Sequence, residues 1–506
     1  MKRVAIIFSL LAIIIALPVV MRRETATADP SKADDRLVII TPHNESIRNE
    51  FGEAFAKWWQ EKSGRTVYVD WRTPGGTAEI RKVLDSGFKA AEERKAKEKV
   101  DGIAEGIGID VFFGGGDYEF VAQHKAQRLA KLEVFDRHPE WFSEQALPRS
   151  FSGENYYNDE KTWVAACLSQ FGICYNEDGV KRLGVNPPRS WTDLGDERYA
   201  GYLALADPSK SGSVARAFEL LIQQQMQEAM AVPGADPQAA AALGWERGWQ
   251  LIMRLCANAR YFTDSASKIP QDVGQGDAVA GMCVDFYGRS FSDEWKRADG
   301  SSRLQWVAPQ GGSSLSGDPI AVFRGAPNAP VAQAFVEFVV SEQGQILWNA
   351  KPGSPRGAVA KALRRMPVRR DVYTLENRAI FTDGERMPYE ETGAFVYRAE
   401  LTSKAFRTIR NLVRCMGIDA HDEMKEAWSE LRAAGFPDEA TAVFFDVSAV
   451  SYQAMGQGDA KLESKDGLVA AQRAAEIGAR FRAQYLRAAA MAKAARKHSA
   501  TPMNQP

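Results

Sequence analysis

The sequence has few of the residues, and none of the short motifs, on which common metal and catalytic sites depend. Only 5 of its 506 residues are cysteine and 5 are histidine, and neither a Cys-x-x-Cys nor a His-Glu-x-x-His pattern occurs. This wide spacing argues against a zinc or redox motif. The glycine-rich patterns of nucleotide-binding loops and the Gly-x-Ser-x-Gly elbow of hydrolases are missing as well. We therefore expect a protein that binds a ligand without catalysing a reaction.

An excess of charge of one sign is also missing. The chain carries 64 Lys and Arg residues and 65 Asp and Glu residues, which gives a net charge of -1. Nucleic-acid-binding domains usually present a basic face, so we expect no nucleic-acid partner. The apolar fraction of 45% is that of an ordinary globular protein. The length suggests about three structural units.

The N-terminus carries a targeting pattern. Two basic residues precede the apolar run Val4–Val20, and Ala26–Ala28 offers a small-residue cleavage site. A run of this length can also cross a bilayer. Segment 1–35 is therefore either a cleaved signal peptide or an inner-membrane anchor, followed by a linker. Both readings place the rest of the chain in the periplasm, where Cys167 and Cys174 either pair or remain buried free thiols.

Strand and helix patterns alternate in the first part of the chain. Branched apolar runs predict buried strands at 36–40, 67–71 and 109–113. Asn44 is placed to cap a first helix, and a second helix restarts near Thr77. Such alternation predicts a parallel sheet with right-handed crossovers. The loops after the strands then meet at one edge, where open α/β sheets bind ligands.

Three of these loops carry His43, Gly75-Gly76-Thr77 and Gly114–Asp117. Helix N-termini have free N–H groups that favour anions, so their convergence predicts an anion-friendly crevice. The Ser211–Ser213 loop opens a further helix, although by itself it is equally an ordinary helix cap.

The middle of the chain predicts a second lobe. Two short strands, 162–166 and 172–175, flank Ser169, and one amphipathic helix is expected at 332–348. The chain passes from one α/β lobe to a second and back, which suits two lobes with a hinged cleft. The predicted domains are 1–35, lobe 1 at 36–165 with 310–350, lobe 2 at 166–309, a helical extension packed on the lobes at 351–500, and a tail at 501–506.

A family resemblance rests on the export signal and on the segments VIITPHNESIRNEFGEAF, PGGTAEI, IDVFFGGG, SWTDL, ALADPSKSGS, VDFYGRSF, GDPIAVFRGAPN and FVVSEQGQ. In this order they resemble extracellular solute-binding proteins of ABC importers, of the ferric-iron- and anion-binding branch. The resemblance covers about residues 36–350. It implies an α/β, two-lobed, periplasmic-binding-protein-like type II fold, here with a C-terminal helical extension. It also implies a non-enzymatic receptor that closes on a solute and delivers it to ABC permease subunits.

In that branch, a histidine after the first strand, an acidic residue after the third and two adjacent tyrosines can ligate ferric iron. Here His43 matches the histidine, and Asp117 lies close to the acidic position. Phe286-Tyr287 replaces the tyrosine pair, so one phenolate is missing. The resemblance thus implies His43 and Tyr287 as metal ligands, with Fe³⁺ as transported cargo and no resident cofactor.

The same residues also suit a small anionic or zwitterionic solute such as a phosphonate. Hydroxyl groups and backbone N–H groups in the converging loops would hold the anion, and Asp285 or Asp318 would pair with an amine. The predicted ligand-binding residues are His43, Asn44, Gly75, Gly76, Thr77, Gly115, Gly116, Ser169, Ser211, Gly212, Ser213, Asp285 and Tyr287. Two further functions stay open: a membrane-tethered sensor or scaffold with the same fold, and a hydrolase that uses His43.

Overall fold

The computed structural model describes residues 30–98, 106–391 and 395–500. The predicted export segment Val4–Val20 and the predicted tail 501–506 lie outside these ranges. Within them, no helix combines the length and the apolar character needed to cross a membrane.

The strands are β1 Asp35–Ile40, β2 Val67–Arg72, β3 Val111–Phe113, β4 Ser150–Phe151, β5 Glu154–Asn155, β6 Val164–Asn176, β7 Leu203–Ala206, β8 Ala259–Thr263, β9 Ala280–Val284, β10 Leu304–Val307, β11 Leu315–Val322 and β12 Met366–Pro367. The helices are α1 Glu45–Ser63, α2 Thr77–Glu98, α3 Asp117–Lys125, α4 Val134–Arg137, α5 Glu177–Leu183, α6 Gly212–Met230, α7 Pro237–Asn258, α8 Lys268–Gln275, α9 Asp285–Glu294, α10 Ala329–Val340, α11 Glu342–Leu347, α12 Leu375–Ile380, α13 Pro388–Glu391, α14 Ala399–Thr402, α15 Phe406–Val413, α16 His421–Ala433, α17 Asp438–Phe444, α18 Tyr452–Met455 and α19 Gly467–Ala500.

The first lobe contains the predicted parallel sheet. Strand β1 pairs in parallel with β2 and with β3. Leu37 and Ile39 pack into one apolar cluster, while Val38 and Ile40 pack into another on the opposite face. Because both faces of β1 are covered, its sequence is a continuous apolar run rather than an alternating one.

Strand β6 runs through both lobes. Its first half pairs with β11, and its second half pairs with β9 and β10. The prediction of two short strands around Ser169 was wrong, because Ser169 and Gln170 pair with Ser316 and Leu315 and the ladder continues through them. The chain returns from lobe 2 between β10, which pairs with the second half of β6, and β11, which pairs with the first half.

The predicted helix at 332–348 is two helices. Ser341 adopts an extended conformation (φ -60°, ψ 162°) between α10 and α11, and its side chain accepts a hydrogen bond from the Gly344 amide. A serine that caps a new helix competes with continuation of the old one.

The C-terminal region is helical, as predicted, but it also enters the sheet. Strand β12 pairs with Leu168 and Cys167 of β6, beside the crossing point. The long helix α19 packs on α16, and α16 packs on α7 of lobe 2. There Trp428 donates to Asn258 Oδ1 at 2.9 Å. All five cysteines are buried free thiols in the structure, so Cys167 and Cys174 are not paired.

Candidate functional site

A cavity of about 530 Å³ lies between the two lobes. The loops after β1, β2 and β3 form one side of it, and the starts of α6 and α9 contribute to the other. Twelve of the thirteen predicted ligand-binding residues line it, namely His43, Asn44, Gly75, Gly76, Thr77, Gly115, Gly116, Ser169, Ser211, Gly212, Ser213 and Tyr287. The structure thus brings these distant loops together, while their role in binding remains a prediction.

His43 is fixed at the end of β1. Its amide donates to Thr41 Oγ1 at 3.0 Å, and Thr41 in turn donates to the Phe113 carbonyl at 2.6 Å, which ties this loop to β3. The ring is 7% exposed and lies edge-on to Phe113 at 4.5 Å. Burial lowers the pKa of His43, and Asp318 opposes this only in part. The imidazole is therefore neutral near pH 7.

Asp318, in β11, is the centre of a buried polar network. It accepts hydrogen bonds from the amides of Gly115 at 2.6 Å and Gly116 at 3.2 Å, and it lies 3.2 Å from His43 Nε2. Burial alone would raise the pKa of Asp318, but Arg365, His43 and the Gly115 amide outweigh it and hold that pKa well below its usual range. The carboxylate is ionised, and its ion pair with Arg365 offsets the free-energy cost of burying the charge.

The amides of Gly115 and Gly116 are therefore already engaged. The sequence predicts that these amides donate to a bound anion, but in the structure they donate to the buried carboxylate of Asp318, which needs those donors. Their contact with a ligand stays a prediction. The two glycines still shape the cavity, and both have positive φ angles (116° and 85°) that favour glycine.

Arg365 comes from the segment that leads to β12, and the sequence reasoning missed it. Its Nη1 donates to Asp318 Oδ2 at 2.5 Å and lies 3.2 Å from His43 Nε2, while its Nη2 donates to Ser169 Oγ. The guanidinium also faces the Phe286 ring at 4.4 Å. A basic pair at 364–365 is visible in the sequence, but nothing in the local pattern indicates that one of the two is 2% exposed beside the cavity.

Asp285 and Tyr287 open α9 but have different surroundings. Asp285 does not line the cavity, because it is buried in an ion pair with Arg289 one turn along the helix, at 2.6 Å. The structure therefore places Asp285 outside the cavity lining, and its predicted contact with a ligand has no support from this arrangement. Tyr287 does line the cavity, and its ring packs on Phe286 at 4.1 Å. Burial raises the pKa of Tyr287 to about 12, so at pH 7 it is a neutral phenol.

The N-termini of α2 and α6 face one another across the cavity. Ser211 caps α6, and its Oγ lies 3.2 Å from Ser213 Oγ. A Cβ at Gly212 would lie 2.7 Å from Thr77 Oγ1, so a larger residue would force the Thr77 side chain or the lobes to shift. The hydroxyl of Thr77 is buried and has no hydrogen-bond partner among the described residues. Two positive helix ends and an unsatisfied hydroxyl thus meet at one place.

Four cations line the cavity. Arg365 pairs with Asp318, and Lys210 pairs with Asp264 at 2.6 Å. Arg216 pairs with Glu154 at 2.6 Å and with Glu219 at 2.7 Å. The fourth, Arg410, comes from α15 in the C-terminal region and was also missed by the sequence reasoning.

Comparison with known proteins gives a consistent family. Residues 109–377, more than half of the chain, match the family described as bacterial extracellular solute-binding protein. The phosphoglycerate transport regulatory protein PgtC of Salmonella typhimurium is 25% identical over 252 residues, which are 48% of this chain and 55% of PgtC. The chain thus spans about half the length of this curated relative.

Two solved structures are similar at low identity. The periplasmic binding protein P5PA has a TM-score of 0.48 at 15% identity, with 74% of this chain and 95% of that chain covered. The periplasmic binding protein AfuA from Actinobacillus pleuropneumoniae has a TM-score of 0.44 at 20% identity, with 62% and 82% covered. The family match, over more than half of the chain, shows that this protein belongs to the bacterial extracellular solute-binding proteins.

Proposed function

We propose that this receptor binds a small solute with an anionic, phosphate- or phosphonate-like head and presents it to an ABC permease when the two lobes close on it. The observation that carries the proposal is the meeting of two helix N-termini from opposite lobes around the unpartnered hydroxyl of Thr77. A solute held there touches both lobes, so it binds the closed form better than the open form. Differential affinity of this kind is what shifts such an equilibrium.

Two physical effects favour an anion at this place: the unpartnered hydroxyl of Thr77 and the positive ends of two helices. A buried hydroxyl without a partner costs about 1–3 kcal/mol, and a bound oxyanion would accept a hydrogen bond from Thr77. Each helix N-terminus carries roughly half a positive charge and several free N–H groups. The hydroxyl of Thr77 and the two helix N-termini together therefore favour an anion at this place.

The surroundings of His43 support an anion over ferric iron. The Arg365 guanidinium lies 3.2 Å from His43 Nε2, so a ferric ion on His43 would sit beside a fixed cation. Tyr287, the other implied ligand, would have to lose its hydroxyl proton to bind iron. Burial opposes this loss, because it raises the pKa of Tyr287 to about 12. In the described part of the chain, no three His, Cys, Asp or Glu residues are grouped as a metal site needs. Ferric iron remains the alternative cargo.

The name of the relative PgtC suggests a solute with which to test binding. That relative is named for the regulation of phosphoglycerate transport, and a phosphoglycerate carries an anionic head of the proposed kind. We therefore include 3-phosphoglycerate, methylphosphonate and inorganic phosphate as test solutes, with ferric citrate as the competing cargo.

The test replaces the hydroxyl that the proposed anion would satisfy. We expect Thr77→Val to weaken binding of the best anionic probe by about 5- to 30-fold, because one hydrogen bond to a charged group is lost. Isothermal titration calorimetry measures this. The matched control is Thr441→Val, which removes another buried unpartnered hydroxyl, in α17 and away from the cavity, and we expect it to bind as the wild type does.

Two outcomes would refute the proposal. One is a wild-type protein that binds none of the three anions but binds ferric citrate with a visible tyrosinate charge-transfer band. The other is equal binding by Thr77→Val and the wild type.

A sensor is the second candidate, because the name of PgtC describes a regulatory protein. An importer receptor loaded with solute should raise ATP hydrolysis by a reconstituted permease. A loaded protein that leaves the permease unchanged but binds another membrane partner would favour the sensor.

A further inference from the structure

We infer that Arg410, in the C-terminal helical region, is a solute-binding residue that supplies the formal positive charge for the anionic head. Residues 351–500 then complete the binding site rather than only covering the lobes. This inference rests on the proposed anion site between α2 and α6, and it names the residue that gives that site its charge.

Helix α15 brings two side chains to the cavity. Phe406 and Arg410 are four residues apart and so lie on the same face of the helix. Both line the cavity, and α15 packs against α6. Arg410 is only 5% exposed, so its guanidinium is part of the interior and not a surface charge near the rim.

The guanidinium is held by the loop that precedes α6. Its Nε donates to the Pro208 carbonyl at 2.9 Å, and its Nη2 donates to the Ser209 carbonyl at 2.8 Å. These carbonyls lie just before Ser211, the cap of α6. These two hydrogen bonds fix the orientation of the planar guanidinium. Its Nη1 has no hydrogen-bond partner among the described residues.

Charge distinguishes Arg410 from the other cavity cations. Arg365, Lys210 and Arg216 each have a carboxylate partner within hydrogen-bond distance. In the described part of the chain, Arg410 makes no such ion pair. A buried cation without a counter-ion costs several kcal/mol, and a bound anion would remove that cost.

The charged groups around Arg410 also favour a bound counter-ion. Arg81 and Arg407 lie near enough to disfavour its charge, whereas Glu119 favours it. Glu119 is itself 3.4 Å from Arg81. Burial, and then Arg81, lower the pKa of Arg410. Burial and the neighbouring Arg81 thus disfavour the charge of Arg410, and a solute anion bound to its guanidinium would offset this.

The same helix connects the two lobes. Phe406 packs on Tyr118 of α3, in lobe 1, with ring centroids 4.6 Å apart, while Arg410 contacts the lobe 2 loop at Pro208 and Ser209. Closure on a solute would therefore bring the anion, Arg410 and the Phe406 contact together.

Calorimetry on the full-length chain tests the role of Arg410, with 3-phosphoglycerate, methylphosphonate and inorganic phosphate as probes. We expect Arg410→Gln to weaken the tightest of the three by about 10- to 100-fold. Arg410→Lys keeps the charge and should recover most of that loss. The matched control, Arg407→Gln, makes the same charge change on the same helix at an exposed position outside the cavity lining, and it should stay within about threefold of the wild type.

The outcomes separate the two proposals. A wild-type protein that binds none of the probes overturns the proposed function and this inference with it. If the wild type binds but Arg410→Gln binds equally well, or Arg410→Lys loses as much as Arg410→Gln, only the role of Arg410 is refuted. Circular dichroism checks folding. If Arg410→Gln does not fold, the inference depends on Arg410→Lys, which must bind within about tenfold of the wild type.

Discussion

At the scale of single residues, the cavity depends on a buried charge pair. Asp318 joins Arg365, His43 and two backbone amides in a largely buried network. Breaking a buried pair by removing one partner is costly because the other charge is left uncompensated. The network therefore stabilises the crossing region between the lobes and also sets the position of His43.

Asp318→Asn tests this network. Arg365, which is 2% exposed, would lose its carboxylate, and we expect the free energy of unfolding to fall by about 3–5 kcal/mol. Urea denaturation at pH 7 measures it. The control Asp264→Asn breaks the exposed pair with Lys210 and should cost less than about 1 kcal/mol.

The same variant has an expected pH dependence. Because folding lowers the pKa of Asp318, its stabilisation is present above the unfolded pKa of about 3.9 and is lost as the pH falls towards the lower folded value. The stability difference between wild type and Asp318→Asn should thus stay constant from pH 7 to about pH 5 and shrink in stronger acid. A difference that collapses between pH 8 and pH 6 would contradict the assignment.

Local residue patterns predicted much of the site but not its charges. Asn44 caps α1 as expected, with its Oδ1 accepting from the Ile47 amide at 3.1 Å, and Gly64 ends that helix in the left-handed conformation. These features depend on neighbours in sequence. Arg365 and Arg410 reach the cavity through tertiary packing of a distant region, for which no local pattern exists.

At the scale of elements, the N-termini of α2 and α6 approach each other across the cleft. Strand β6 and the return segment before β11 link the lobes, and the two helix starts meet where Gly212 faces Thr77. The sequence predicted these helix starts correctly because caps are local. The sequence pattern wrongly predicted a break in β6 at Ser169, because polar residues favour a turn. Pairing with β11 continues the strand through this position.

Gly212→Ala tests the closed arrangement. Its Cβ would lie 2.7 Å from Thr77 Oγ1, so the lobes could not approach as closely, and we expect solute affinity to fall by about tenfold or more. Without solute the lobes can open and relieve this contact, so we expect little loss of stability in the unliganded protein, where alanine favours a helix over glycine. Calorimetry and thermal unfolding measure the two effects.

The control for that variant is Gly467→Ala, at the first residue of α19, where an added Cβ meets no atom within 4 Å. Equal affinity for Gly212→Ala and the wild type would show that α2 and α6 do not approach in the bound state.

At the scale of the whole molecule, the C-terminal region of this solute-binding protein reaches into the cleft between the two lobes. The alternating patterns of the first 350 residues were enough to predict the α/β lobes. The contribution of the C-terminal region was not predictable, because β12 and α15 reach the cavity through long-range contacts. The region is therefore better regarded as part of the receptor than as a separate module.

The most direct test of anion-driven closure is single-molecule FRET between the lobes. Dyes are attached through Glu61→Cys in α1 and Glu246→Cys in α7, both exposed positions, while the five native cysteines are buried. We predict that saturating 3-phosphoglycerate, methylphosphonate or inorganic phosphate moves the population to higher transfer efficiency, and that Thr77→Val needs a higher solute concentration for the same shift. An efficiency distribution that none of these anions changes, or that only ferric citrate changes, would contradict the central claim.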